Sequence, residues 1–340
     1  MSLATKYRPK TFEEVVGQDH ITKIIEHQIE TGQFSHNYIL CGVTGGGKTT
    51  IARLMHKYIN KGNGTPIEID AASNSGVDNV RNIIMDAQER SLDSEYKIYI
   101  IDEAQALSNA AWQAFLKCIE TPPKYTIFIF CTTEYEKIPD AIKNRCQTFS
   151  LKFIPANKIE DRLNYICQKE GTNSYEESTK YISRIANGSM RNALSLIDKC
   201  ISFTNNLAIN RVMKILGNYS YESFFKLINS IIDGNQASIF EEFNSICDNG
   251  CDYRNFIDQF LDFCIDVNKY AIFNNCNLIK IPASMVNDLD YVVEFENAPK
   301  YYNLVIDKLL KLKNMIKYES NPKICIEVIL TQLARGQFND

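Results

Sequence analysis

A glycine-rich segment constrains the fold of this 340-residue chain more than any other feature. Gly42–Thr49 reads Gly-Val-Thr-Gly-Gly-Gly-Lys-Thr and fits the pattern G-x-x-x-x-G-K-(S/T), between a β-branched run at Asn37–Leu40 and a helical pattern. Such a loop lets backbone N–H groups surround phosphates, and the start of the next helix adds partial positive charge. We expect Lys48 to reach the terminal phosphates of ATP and the hydroxyl of Thr49 to ligate Mg²⁺. A glycine-rich turn with an accidental lysine is the alternative, and the strand–loop–helix context disfavours it.

The predicted nucleotide contacts extend over the whole loop and one residue beyond it. They are Gly42, Val43, Thr44, Gly45, Gly46, Gly47, Lys48, Thr49 and Thr50.

Two carboxylates follow a second apolar run. Ile98–Ile101 leads directly into Asp102 and Glu103, about 50 residues after the glycine-rich loop. At the tip of a strand, Asp102 can hold the magnesium shell and Glu103 can orient or deprotonate the attacking water. An acidic pair at a strand end is often merely solvated, but the position relative to the loop favours the catalytic interpretation.

The first half of the chain predicts an α/β domain with a parallel sheet, because short β-branched runs alternate with amphipathic helical patterns. Ser108 is placed to cap one of these helices. The predicted strands are Asn37–Leu40, Ile67–Asp70, Lys97–Asp102, Thr126–Thr132 and Thr148–Leu151.

The strand signal fades after Ile154. We therefore predict three domains: an ATPase domain at 1–154, a small helical lid at 155–216 that ends near Gly217, and an all-helical domain at 218–340.

Composition excludes several classes of protein. The net charge of −4 does not indicate a basic nucleic-acid-binding domain. No apolar run approaches the roughly 18 residues that a membrane helix needs, so a cytoplasmic protein is expected. The 11 cysteines include no CxxC pair, and Cys41, Cys131 and Cys264 lie in apolar stretches, where free cysteine behaves as a small hydrophobe.

Residues 1–216 resemble the AAA+ region of the bacterial DNA polymerase III gamma/tau subunit and its clamp-loader relatives, including the small subunits of replication factor C. The P-loop alone is widespread, but the full set in this order is specific. The matching stretches are 7–12, 15–18, 42–54, 69–73, 102–104, 120–123, 132–133, 144–146 and 188–191.

The resemblance implies roles that spacing alone does not assign. Thr133 would be sensor 1, Arg191 would be sensor 2, and Arg145 would be an arginine finger that reaches the ATP of a neighbouring subunit. From the residues alone, a threonine that caps a turn and arginines that serve solubility are the favoured interpretations. The residues implied to surround the adenine are Tyr7, Arg8, Val16, Gly17 and Gln18.

The resemblance also implies partners. Residues 218–340 would be a collar that holds a ring or spiral of five subunits, and the assembly would act on a sliding clamp and primer–template DNA. A segment leading into a predicted helix would contact the DNA backbone, although an ordinary helix cap explains the same residues. These residues are Ser73, Asn74, Ser75, Gly76 and Arg81.

Several positions depart from the family pattern. Gln105 stands where a histidine is common, Asn144 where a serine is usual, and Asn192 where an aspartate is usual. The four-cysteine zinc module expected between the P-loop helix and Ile67 is missing, and the sequence is expected to lack the long C-terminal extension of tau-type subunits.

The sequence therefore predicts an ATP-hydrolysing motor subunit of a clamp loader in the cytoplasm of a bacterial or phage-infected cell. One alternative is another AAA+ machine on DNA, either a branch-migration helicase or an initiator. The other is a non-hydrolysing stator, which the presence of Lys48, Thr49, Asp102 and Glu103 disfavours.

Overall fold

The structure, a computed structural model, describes residues 2–174, 176–247 and 252–334. These residues form two compact units. The first contains the residues up to Lys169 together with Ile182–Asp198, and the second contains Glu170–Tyr181 together with the residues from Lys199 onward. The predicted boundaries at 154 and 217 stay predictions.

The first unit contains a five-stranded parallel sheet. Its strands are β1 (Asn37–Gly42), β2 (Ile67–Asp70), β3 (Lys97–Asp102), β4 (Thr126–Thr132) and β5 (Gln147–Leu151). The helices up to Lys169 are α1 (Leu3–Lys6), α2 (Asp19–Glu30), α3 (Lys48–Ile59), α4 (Val77–Ala87), α5 (Asn109–Glu120), α6 (Asp140–Lys143) and α7 (Ala156–Lys169).

The strand order is β2-β3-β4-β1-β5, and every neighbouring pair is parallel. Three predicted strands agree with the structure to the residue, whereas β1 continues two residues further and β5 begins one residue earlier. Because the carboxyl ends of parallel strands share one edge, the ends of β1, β3 and β4 place Gly42, Asp102 and Thr132 along that edge.

The sheet is covered on both faces, which explains its continuous apolar runs. Alternate residues of β1 enter opposite cores: Tyr38 and Leu40 pack with α2 and α3, whereas Ile39 and Cys41 pack with α4 and α5. The predicted cap of α5 is confirmed, since the hydroxyl of Ser108 accepts the Ala111 N–H at 3.2 Å.

A short connection joins α3 to β2. The amide of Asn60 fixes its start by donating to the Tyr96 carbonyl at 2.9 Å and accepting the Tyr96 N–H at 2.8 Å.

No cluster of three or more His, Cys, Asp or Glu side chains suited to a metal occurs in the described part of the chain.

Two helices contribute to both units, and the second unit is otherwise almost all helical. The shared helices are α8 (Glu176–Ile185) and α9 (Met190–Phe203). The later helices are α10 (Ile209–Leu216), α11 (Tyr221–Ile232), α12 (Gln236–Cys247), α13 (Tyr253–Phe273), α14 (Val286–Val293), α15 (Ala298–Met315) and α16 (Pro322–Gln332).

One feature of the second unit differs from the predicted fading of strands. A two-residue parallel pair joins β6 (Asn173–Ser174) to β7 (Asn206–Leu207), and strands this short carry no detectable alternation. Gly217 adopts φ 75° immediately after α10 and ends that helix. Among the described helices, none is long and apolar enough to cross a membrane.

Candidate nucleotide-binding and catalytic site

The glycine-rich loop runs from the end of β1 to the start of α3, as the motif requires. Lys48, the first residue of α3, is only 6% exposed. Its ammonium group donates to the carbonyls of Gly42 at 2.8 Å and Val43 at 3.1 Å. The lysine is thus held inside the curl of the loop, where terminal phosphates would be bound.

Two glycines of the loop exclude any side chain. An added Cβ at Gly42, where φ is 145°, would lie 2.5 Å from the Leu151 carbonyl oxygen. At Gly45, where φ is 74°, it would lie 2.3 Å from the Ser189 hydroxyl and 2.8 Å from the Cβ of Arg191. The loop therefore needs glycine for both its conformation and its close neighbours.

Thr49 and Asp102 meet at the edge of the sheet. The Thr49 hydroxyl donates to a carboxylate oxygen of Asp102 at 2.9 Å, and the other carboxylate oxygen accepts the Glu103 N–H at 3.2 Å. A hydroxyl and a carboxylate are hard oxygen ligands of the kind that Mg²⁺ prefers. The pair therefore fits the predicted magnesium site.

The electrostatic environment of Lys48 is mixed. Burial lowers the pKa of its ammonium group below the usual value, and the charge of Arg191 adds to this effect. The nearby carboxylates of Glu103 and Asp102 act in the opposite direction. An incoming phosphate would supply the negative charge that stabilises this buried cation.

Glu103 turns the chain away from β3. Its backbone adopts the left-handed conformation, with φ 51° and ψ 41°, and a single 3₁₀ turn at Ala104–Ala106 follows. Such a conformation costs about 1–3 kcal/mol for a residue other than glycine and is concentrated at functional sites.

Gln105, in that turn, ties Glu103 to the end of β4. Its amide nitrogen donates to the Glu103 carboxylate at 2.6 Å and to the Thr133 hydroxyl at 3.1 Å. Its amide oxygen accepts the Thr132 hydroxyl at 2.8 Å and the Thr133 N–H at 3.4 Å. The predicted sensor Thr133 is thereby connected to Glu103 through one side chain.

A pocket in the first unit brings most of the predicted nucleotide-site residues together. Those that line it are Tyr7, Arg8, Val16, Thr44–Thr50, Asp102, Glu103 and Arg191.

The other predicted adenine-side residues support the pocket rather than line it. Gln18 is fully buried, and its amide donates to the Lys152 carbonyl at 2.8 Å and accepts the Lys152 N–H at 3.2 Å. An added Cβ at Gly17 would lie 3.0 Å from Ile154, which itself lines the pocket. These two residues shape the walls, and their predicted contact with adenine stays a prediction.

Arg145 is not among the residues that line this pocket. It lies between α6 and β5, where its guanidinium pairs with Glu120 at 2.6 Å and donates to the Ala141 carbonyl at 2.7 Å.

The predicted DNA-contacting segment forms a tight turn before α4. Asp70 organises it by accepting the Ser73 hydroxyl at 3.1 Å and, through its carbonyl, the Asn74 amide at 3.0 Å. The carbonyl of Ser75 accepts the Ser108 N–H at 3.1 Å, and Gly76 immediately precedes the helix. One turn into α4, the exposed Arg81 pairs with Asp78 at 3.0 Å.

Three residues were missed as parts of the site. Arg162 lines the pocket and donates to the Tyr7 carbonyl at 3.1 Å, Ser189 touches Gly45, and Gln105 bridges Glu103 and Thr133. Gln105 carried a signal as a departure from the family pattern, and Ser189 lies in the matching stretch 188–191, where no role was assigned to it. The contacts of Ser189 and Arg162 join segments more than 140 positions apart in the sequence.

Comparisons with known proteins agree with this architecture. Family models match three successive parts of the chain: "DNA polymerase III, delta subunit" at residues 63–155, "DNA polymerase III clamp loader subunit, ATPase lid domain" at 158–206, and "DNA polymerase III subunits gamma and tau domain III" at 207–337.

Curated relatives extend over nearly the whole chain. The DNA polymerase III subunit tau of Bacillus subtilis is 34% identical over 97% of this chain and 62% of its own length. The gamma subunit of Buchnera aphidicola subsp. Schizaphis graminum is 32% identical over 97% of each. This chain thus spans less than two thirds of the tau subunit but almost all of that gamma subunit.

Solved structures agree on the fold. Thermotoga maritima RuvB aligns with a TM-score of 0.53 and 17% identity, covering 67% of this chain and 80% of RuvB. At this identity the likeness shows an AAA+ fold alone. With the lid and domain III matches and a relative 32% identical over 97% of its length, the chain belongs to the DNA polymerase III gamma/tau family of clamp-loader subunits.

Proposed function

We propose that this chain is the ATP-hydrolysing motor subunit of a sliding-clamp loader, which opens the clamp and places it on primer–template DNA. Membership of a clamp-loader family that carries an ATPase lid domain supports the general activity. The observation that carries the proposal is the contact of Thr49 with Asp102 at 2.9 Å, beside Lys48 and Glu103 in one pocket.

The residues of the pocket fit ATP and Mg²⁺. Lys48 and the amides of the loop would hold the phosphates, and Thr49 and Asp102 would hold the metal, which neutralises charge on the phosphate oxygens when bound. Tyr7, Arg8 and Val16 would surround the adenine, with Gly17 and Gln18 supporting that wall from behind.

Hydrolysis would depend on residues at the sheet edge and beyond it. Glu103 would accept the proton of the attacking water, while Thr133 and Arg191 would stabilise the terminal phosphate. Arg145 would act on the nucleotide of a neighbouring subunit, which makes assembly a condition for rapid turnover. An arginine supplied in this way is worth about 10³–10⁵ in rate.

The proposed partners follow from the family. The chain would join other loader subunits in a ring or spiral of five, held by residues 218–340, in the cytoplasm of a bacterial cell. The turn Ser73–Gly76 and Arg81 would contact the backbone of the DNA independently of its sequence. Binding of ATP would close the spiral on the clamp, and hydrolysis would release it.

Two other functions are less well supported. A stator would not need the paired Thr49 and Asp102 or the buried Lys48. A branch-migration motor is suggested only by the RuvB likeness, which concerns the fold, whereas residues 207–337 match domain III of the gamma and tau subunits.

A pair of variants tests the proposed chemistry. Glu103→Gln should bind ATP with the affinity of the wild type and lose hydrolysis, because the general base is removed while the phosphate cradle remains. Lys48→Ala should lose binding itself. Isothermal titration with ATP and Mg²⁺, followed by phosphate release, separates the two effects. Full hydrolysis by Glu103→Gln would refute the assigned base.

A further inference from the structure

Gln105 is the central residue of a hydrogen-bond network at the edge of the sheet where β3 and β4 end. It lies in the turn after β3 and bonds to Glu103, Thr132 and Thr133. A primary amide has two N–H donors and two acceptor lone pairs. All four positions are used here, so the side chain is held from every direction.

The orientation of the amide is fixed by its neighbours. The backbone N–H of Thr133 can only donate, and an ionised Glu103 carboxylate can only accept. The oxygen of Gln105 must therefore face the end of β4, and its nitrogen must face Glu103. The hydroxyl of Thr132 adds to this constraint, because it accepts the Glu134 N–H at 3.0 Å and turns its own proton toward Gln105.

This orientation has a consequence for Thr133. Its hydroxyl oxygen accepts a hydrogen bond from the Gln105 amide nitrogen at 3.1 Å, so its own O–H points elsewhere. That proton is then available to a phosphate oxygen or to the attacking water. At the same time one carboxylate oxygen of Glu103 is anchored at 2.6 Å, which leaves the other oxygen to accept a proton.

We propose that Gln105 is a positioning residue for ATP hydrolysis, whose amide sets the carboxylate of Glu103 and the hydroxyl of Thr133 in one fixed arrangement. The inference rests on the proposed function, since it assigns how the two hydrolytic groups are aligned. Gln105 itself is outside the pocket lining, so it affects catalysis and leaves nucleotide affinity unchanged.

The central variant is Gln105→Met, which keeps the length and approximate volume of the side chain but removes its donors and acceptor. We expect kcat to fall about 10²-fold, the loss typical of a catalytic group displaced by about 1 Å. The dissociation constant of ATP should remain that of the wild type. Gln33→Met, the same exchange at an exposed position, is the matched control and should leave both quantities unchanged.

Two further variants distinguish positioning from a general structural effect. Gln105→His retains a ring N–H that can donate to Glu103, and it should recover part of the rate. Thr133→Val should lower kcat, and its combination with Gln105→Met should cost less than the product of the two single effects, because both remove the same alignment.

The measurements use single-turnover ATP hydrolysis in the assembled loader, together with ATP titration. A normal kcat in Gln105→Met, a raised kcat, or a loss of rate that follows a loss of ATP binding would each overturn the inference while the wild type remains active. A wild type that does not hydrolyse ATP would overturn the proposed function, and this inference with it.

Discussion

The contact between the glycine-rich loop and the start of α9 can be tested by a substitution that adds one methyl group to the loop. Gly45→Ala would place a Cβ 2.3 Å from the hydroxyl of Ser189 and 2.8 Å from the Cβ of Arg191. Gly32→Ala is a matched control, because Gly32 has φ 68° against 74° at Gly45, yet its added Cβ would meet no atom within 4 Å.

The expected effects follow from these numbers. The left-handed conformation costs an alanine about 1–2 kcal/mol, so both variants should lose about that much free energy of unfolding. Overpacking adds about 1–3 kcal/mol only at Gly45. Moving the Ser189–Arg191 segment away from the loop should also raise the dissociation constant of ATP about tenfold, which corresponds to about 1.4 kcal/mol.

Urea unfolding and titration with a fluorescent ATP analogue measure both effects. Ser189→Ala in the Gly45→Ala background should recover part of the affinity, because it removes the nearer of the two contacts. Equal ATP affinity in Gly45→Ala and Gly32→Ala would refute the close approach of Arg191 to the loop, and with it the geometric basis of its proposed sensor role.

Other predictions concern assembly, folding and pH. Arg145→Ala should leave ATP affinity unchanged but lower hydrolysis by the assembled loader about 10³-fold, and equal rates in phosphate-release assays would refute the trans role. Asn60→Ala should cost about 1–3 kcal/mol in urea unfolding, since it leaves the half-buried N–H of Tyr96 without its partner, while the Tyr96 carbonyl keeps the Ser94 hydroxyl at 3.2 Å; a cost below 0.5 kcal/mol would contradict this. Burial raises the pKa of Tyr38 to about 12, so only the unfolded chain ionises there between about pH 10 and 12 and stability should fall as pH rises. Tyr38→Phe should flatten that decline by up to about 1 kcal/mol per pH unit in alkaline urea titrations, and an unchanged slope would contradict the assignment.

The sheet could be predicted because the apolar pattern that specifies each strand lies within the strand itself. Runs such as Ile98–Ile101 and Thr126–Thr132 are buried on both faces, and each ends at a polar residue that the site needs. The glycine-rich loop likewise carries its chemistry within eight neighbouring positions. Local apolar pattern and motif spacing therefore located the P-loop and the acidic pair.

The remainder depended on contacts that sequence spacing does not encode. Ser189 lies beside Gly45 across 144 positions of the sequence, and Arg162 reaches Tyr7 across 155. Gln105 was visible as a departure from the family pattern, but its function required the relative positions of β3 and β4. The interleaving of the two units through α8 and α9 was equally invisible to a linear division into domains.

The most direct test of the central claim is the ATPase rate of the assembled loader with and without the sliding clamp and primer–template DNA, with Glu103→Gln as control. We predict strong stimulation by clamp and DNA together, abolished in Glu103→Gln. A wild-type rate that is indifferent to clamp and DNA, with the partner subunits present, would contradict a clamp-loading motor.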